Sequence, residues 1–165
     1  MKILITIASI LLLSACGFSP MYGANSSKNN TAIKTELTDI EIALIPDREG
    51  QYLRNALIDR FYIHGSPATP KFRLVVKEVD ENVSNFDVTI DSEVTRRQLK
   101  LSTSMSLIDL DSGSVVLTRS LQSITSYNVL ESEFSTIVTE QSARDAALDD
   151  IARQIERSVV LYFKK

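Results

Sequence analysis

Six cations, Lys71, Arg73, Lys77, Arg96, Arg97 and Lys100, are the residues of this 165-residue chain best placed to do chemistry together. Lys71, Arg73 and Lys77 alternate with Phe72, Leu74 and Val76, so they share the polar face of one strand. Lys100 has the polar parity of a later strand, which Arg96 and Arg97 begin. If the two strands pair, these cations form a stripe suited to phosphate or sugar-acid groups, with guanidinium able to grip phosphate bidentately. The same charges could instead simply solvate an exposed face and blunt sheet edges, and the sequence leaves both readings open. Arg96 and Arg97 cannot both join the stripe without a bulge, because successive strand side chains point to opposite faces.

No catalytic constellation accompanies them. His64 is the only histidine, which rules out a histidine-based metal cluster, and its place near a helix C-terminus fits a structural or dipole role. Asp109-Leu110-Asp111-Ser112-Gly113 is similar to the start of a calcium loop but lacks the downstream glutamate, so a hairpin turn explains it better. Phosphate loops, nucleophile elbows and Ser-Lys motifs are absent. The chain is expected to be neither an enzyme nor the holder of a metal or cofactor. A formal net charge of -3 with no basic tail argues against nucleic acid as a partner.

Cys16, the only cysteine, ends a short apolar run: Lys2 supplies a positive start, and residues 3–13 are too few to span a bilayer. Leu13-Ser14-Ala15-Cys16 resembles the bacterial lipobox, whose peptidase cuts before the cysteine once its thiol carries a diacylglycerol. An ordinary secretory signal is the alternative, but it would strand a lone thiol in an oxidising compartment. Acyl chains contribute about 0.8 kcal/mol per buried methylene, so two or three of them anchor a protein durably. Gly17, in place of the aspartate that resembles an inner-membrane retention signal, leans toward the outer membrane. The expected organisation is a signal peptide over 1–15, a lipidated N-terminus and polar tether over 16–36, and one domain over 37–165.

The elements that must position the cations follow from periodicity. Ile40, Ile42 and Leu44 predict a first strand ended by Pro46, with Asp47 as N-cap of a helix bearing Leu53, Ala56, Leu57, Phe61 and His64. Gly65, Pro67 and Pro70 stop it. Phe72, Leu74 and Val76 mark a second strand. Residues 80–94 are ambiguous, with strand-like Phe86, Val88 and Ile90 between polar breaks. Leu99, Leu101, Met105 and Leu107 face one way on a third strand, while Lys100, Ser102, Ser104 and Ser106 face the other. Val115, Leu117 and Leu121 continue in a fourth, where Arg119 on the apolar parity requires a register shift or an edge. A final helix over 135–163 carries the stripe Ile137, Gln141, Leu148, Ile151, Ile155, Val159 and Tyr162. The expected fold is α+β, in the order β-α-β-β-β-α: a roughly four-stranded, mostly antiparallel sheet with two helices packed on one face.

Three segments carry a family resemblance. Cys16-Gly17-Phe18-Ser19-Pro20-Met21-Tyr22-Gly23, Gly50-Gln51-Tyr52-Leu53-Arg54-Asn55, and Ser126-Tyr127-Asn128-Val129-Leu130 before the alanine-rich last helix occur in the order seen in alphaproteobacterial lipopolysaccharide-assembly lipoproteins (LptE). The chain resembles that family over nearly its whole mature length. The resemblance implies a non-enzymatic lipoprotein of the outer membrane, facing the periplasm, that plugs a large β-barrel (LptD) and assists barrel assembly and delivery of lipopolysaccharide to the outer leaflet. It also implies contact with lipopolysaccharide through basic residues at one end of the sheet; Arg96, Arg97, Lys100, Lys71 and Arg73 are candidates on charge alone. The alternative from a different class is a free-standing envelope lipoprotein binding peptidoglycan or a periplasmic partner.

Overall fold

Strand β4 (Val94–Asp109) organises the sheet, because every other strand except the first hydrogen-bonds to it. A computed structural model describes residues 37–62, 65–88 and 94–164. The expected signal peptide over 1–15, the expected lipidated N-terminus and tether over 16–36 with Cys16, and the residues His64 and Ile90 lie outside the described residues. In chain order β1 (Ile40–Ile42), α1 (Asp47–Phe61), β2 (Phe72–Val76) and β3 (Asp80–Val88) precede β4; β5 (Val115–Asn128) and α2 (Glu133–Phe163) follow it.

β5 runs antiparallel to β4 along nearly its whole length, from Arg96 opposite Asn128 to Ile108 opposite Val115. The other edge of β4 is shared. β2 pairs with its C-terminal half, Phe72 opposite Asp109, and β3 with its N-terminal half, Asp80 opposite Ser102. β1 adds to β2 in parallel, as a strand-helix-strand connection allows. Between Val76, opposite Met105, and Asp80, opposite Ser102, residues 77–79 stand against 103 and 104 alone. This bulge inverts which residues fall on the helix face of the sheet: even-numbered in β2, odd-numbered in β3. The Thr103 hydroxyl donates to the Lys77 carbonyl at 2.8 Å, and Lys77 N–H donates to the Ser104 carbonyl at 2.9 Å, which fixes the irregular turn.

Both helices cover one face. Ile40, Ile42, Leu74, Val76, Leu99, Leu101, Met105 and Leu107 from the sheet bury against Leu53, Leu57 and Phe61 of α1 and Leu148, Ile151, Ile155 and Val159 of α2. Each such side chain contributes about 1.5–3 kcal/mol relative to exposure. Ala147 and Ala152, also fully buried, let α2 lie close to its neighbours. No element among the described residues covers the opposite face.

The sequence expectation of an α+β sheet with two helices on one face matches, with a fifth strand, β3, in the ambiguous stretch. Three local expectations change. Leu44 is 80% exposed because β1 ends at Ile42, and Ile45 fills the core in its place at 1%. Pro46, not Asp47, is the N-cap and offers no side-chain bond; Asp47 is the first helical residue, at φ 64. Ile137 is 58% exposed, so the buried stripe of α2 starts only at Ala143. Ser123, on the apolar parity of β5 with Leu121, is buried beneath α2, where its hydroxyl bonds to Asp150.

Candidate functional site

The Arg96–Arg97 end of the sheet is where β4 begins, β5 ends and α2 starts. Arg96 stands opposite Asn128 of β5 and Asp87 of β3, and Arg97 opposite Tyr127 and Asn85. As alternation demands, the two arginines part: Arg96 belongs to the open face, Arg97 to the helix face.

On the helix face Arg97 joins a polar network. The Tyr127 hydroxyl donates to Glu140 Oε2 at 3.0 Å and also bonds to Arg97. Burial, and then the bond to Glu140, push the Tyr127 hydroxyl above the usual tyrosine range. Arg144 binds Glu81 of β3 bidentately, Nε to Oε2 at 2.7 Å and Nη2 to Oε1 at 2.8 Å. Its Nη2 also reaches Glu140 Oε1 at 2.8 Å. Burial alone would raise Glu140, but the Arg144 and Tyr127 hydrogen bonds outweigh it and hold the carboxyl below its ordinary range. The Glu81 hydrogen bond leads in raising the Arg144 guanidinium above its ordinary value. Glu81, Arg144, Glu140, Tyr127 and Arg97 thus tie β3, β4, β5 and α2 into one charge-balanced lock. The Glu140–Arg144 spacing of four residues was open to a sequence reading; Glu81, distant in the chain, was not.

The Ser126-to-Leu130 segment leads into that lock. Leu130 N–H donates to the Thr136 hydroxyl at 2.9 Å, and Ser132 caps α2 by accepting from Ser135 N–H at 3.4 Å. The Gly50 segment has an equally physical basis. A Cβ on Gly50 would stand 2.8 Å from Ile45 Cγ2 and 2.9 Å from its carbonyl carbon, so the first turn of α1 packs this closely on Ile45 because residue 50 is glycine.

On the open face Lys100 lies four residues along β4 from Arg96, roughly 13 Å away, opposite Asn82 and Ile124. Gln98, Ser126 and Asn128 share this face. Cations among hydroxyl and amide donors can hold phosphate and sugar hydroxyls. Arg73 is on the same face but opposite Ile108, roughly 27 Å along β4 from Lys100. Its Nε binds Glu41 at 2.9 Å, and Lys71 Nζ binds Asp39 at 2.9 Å. The five candidates therefore form two separated groups: Arg96 with Lys100 at one end, Lys71 and Arg73 neutralised by Asp39 and Glu41 at the other, with Arg97 turned inward. Lys77 lines a depression of about 530 Å³ at the bulge, together with Glu78, Asp80 and Ser104. There Asp47, through its charge and then its hydrogen bond, raises the Glu78 carboxyl.

The turn 109–113 is a hairpin, as its residues suggest: Asp109 Oδ1 accepts from Asp111 N–H at 3.0 Å and Ser112 N–H at 2.8 Å, and Gly113 supplies φ 67. Among the described residues no His, Cys, Asp or Glu group is arranged to hold a metal, and no helix is long and apolar enough to cross a membrane.

The fold and this site define a one-sided α+β domain whose described chemistry is charge and hydrogen bonding. The lipopolysaccharide-assembly family, LptE, matches residues 37–162. The chain belongs to the LptE family. Solved structures share the fold. A candidate lipoprotein from Caulobacter crescentus CB15 is 21% identical with a TM-score of 0.64, over 81% of this chain and 97% of that one. A minor lipoprotein from Acinetobacter baumannii is 19% identical with a TM-score of 0.60, over 74% and 90%. Rare lipoprotein B from Shewanella oneidensis is 8% identical with a TM-score of 0.59, over 74% and 93%. No curated protein matches the chain.

Proposed function

We propose that this protein is a non-enzymatic outer-membrane lipoprotein of lipopolysaccharide assembly, anchored through lipid on Cys16 and seated as a plug in an LptD-type β-barrel. The family match over 37–162 carries the reading. The open sheet face supports the plug: Gln98, Lys100, Ser102, Ser104 and Ser106 of β4 and Thr118, Ser120, Gln122 and Ser126 of β5 make it largely polar, with Ile124 an exposed apolar residue among them. A barrel lumen is polar, so hydroxyls, amides and scattered charge suit docking there. Arg96 and Lys100 are the proposed contacts for lipopolysaccharide phosphate or sugar-acid groups. The signal peptide over 1–15 and the tether over 16–36 belong to the same proposal.

Site-specific photocrosslinking in cells from Ser104 and Ser120 tests the plug. The expected product joins the chain to a β-barrel several times larger. Crosslinks to peptidoglycan or to a small periplasmic protein, with no barrel adduct, would overturn it.

A further inference from the structure

The outer edges of the sheet are closed in different ways. On β1 the Tyr62 hydroxyl donates to the Ile40 carbonyl at 3.0 Å and accepts from Ile42 N–H at 3.0 Å, occupying the groups that face away from β2. β3 guards its edge with Asp80 and Glu81 and with register irregularities near its C-terminal end. β5 lacks such protection over residues 120–128, which contain no charge, proline or glycine.

Backbone direction shows what this edge offers. Lys77 N–H bonds to the Ser104 carbonyl and Asp109 N–H to the Ser114 carbonyl, so even-numbered residues of β4 address β2 and β3, and odd-numbered ones address β5. In the antiparallel register, odd-numbered residues of β5 therefore bond back to β4 and even-numbered ones point outward. α2 takes two of the outward carbonyls: Gln154 Nε2 donates to Gln122 O at 3.0 Å, and the Thr139 hydroxyl to Asn128 O at 3.2 Å. Between these clamps the outward N–H and C=O groups of Ile124 and Ser126 have no partner among the described residues. A groove of about 500 Å³ runs there, lined by Thr125, Ser126, Ser142, Ala143 and Ala146, with Arg96 at one end. The small α2 side chains keep the helix from filling the space beside the edge.

We propose that this edge receives an extended segment of the barrel partner as an added strand, an inference that rests on the plug reading above. Main-chain bonds to Ile124 and Ser126 give the segment its register, and side-chain space beside Ala143 and Ala146 gives it selectivity. The uncharged edge suits apolar or β-branched residues, and Arg96 suits a carboxylate at the Asn128 end. Antiparallel pairing with a second copy fits poorly. It would set two α2 helices, each bonded along β5, on the same side about one strand spacing (~4.8 Å) apart, half the 8–10 Å that packed helices need.

The test is hydrogen–deuterium exchange at the Ile124 and Ser126 amides, in the full-length lipoprotein alone and in its detergent-extracted complex with the barrel. The expected result is exchange about 100-fold slower in the complex. Ser126→Pro removes an outward N–H and spares the bonds to β4; it should weaken the complex about tenfold, or about 1.4 kcal/mol. A recovered complex with both amides unprotected overturns the added strand and leaves the plug standing. Failure to recover any barrel complex overturns both. Protection that grows with concentration in the isolated chain assigns the edge to a second copy and also overturns the proposal. Should Ser126→Pro not fold, exchange in the unaltered chain decides alone.

Discussion

Replacing Arg144 with methionine removes the centre of the lock at the Arg96–Arg97 end while keeping an apolar stem. The Arg144 side chain is 14% exposed and binds Glu81, at 28%, and Glu140, at 29%. Hydrogen bonds to charged groups contribute about 1.5–3 kcal/mol each, and Arg144 makes short ones to two carboxylates. Ordering the long side chain costs up to about 2 kcal/mol. The net loss should be about 2–4 kcal/mol. Arg153→Met is the control: its bond to Asp150 is 3.3 Å long between side chains 50% and 41% exposed, so its loss should cost under about 0.5 kcal/mol. Urea denaturation followed by circular dichroism measures both. The Glu140 carboxyl is depressed in the folded state, so its contribution is present above the ordinary glutamate value of about 4.3 and disappears as pH falls through the lower folded value. Arg144→Met should flatten that acid loss. Equal destabilisation by the two variants, or an unchanged acid limb, would refute the lock.

Other consequences are separable. Gly50→Ala gains about 1 kcal/mol of helix propensity but forces contacts of 2.8–3.0 Å with Ile45, two of them to backbone, an overpacking cost of about 1–3 kcal/mol. A net loss near 1 kcal/mol in urea melts is expected, and a more stable variant would contradict the close approach. The Arg96→Glu, Lys100→Glu pair should weaken lipopolysaccharide binding about tenfold at low ionic strength and less at high salt, while Arg73→Glu changes it less than about twofold. Titration calorimetry at two salt concentrations reads this, and an equal effect from Arg73→Glu would contradict the division into two ends.

The sequence was informative wherever periodicity was local. Leu99 to Leu107 alternate cleanly, so β4 and its faces were readable, as was the divergence of Arg96 and Arg97. Arg119 needed an edge or a shift, and it sits on edge strand β5 opposite Met105, ahead of the irregularity at Leu107 and Ile108. β3 was illegible because Asp80-Glu81-Asn82-Val83-Ser84-Asn85 has no apolar alternation; long pairing with β4 makes it a strand. Lys71 and Arg73 seemed able to reach Lys100 because parity fixes a face but not a position along it. Which half of β4 each strand meets is a long-range choice, set by the bulge at Lys77 that no local pattern announces. Ile137 joined the apolar stripe by spacing, but helix position relative to the sheet leaves it exposed.

Native mass spectrometry of the detergent-extracted protein tests the central claim most directly. The expected assembly contains one acylated copy beginning at Cys16 and one β-barrel chain several times its mass. A chain recovered alone under conditions that preserve other outer-membrane complexes, or one whose first residue carries no lipid, would contradict it.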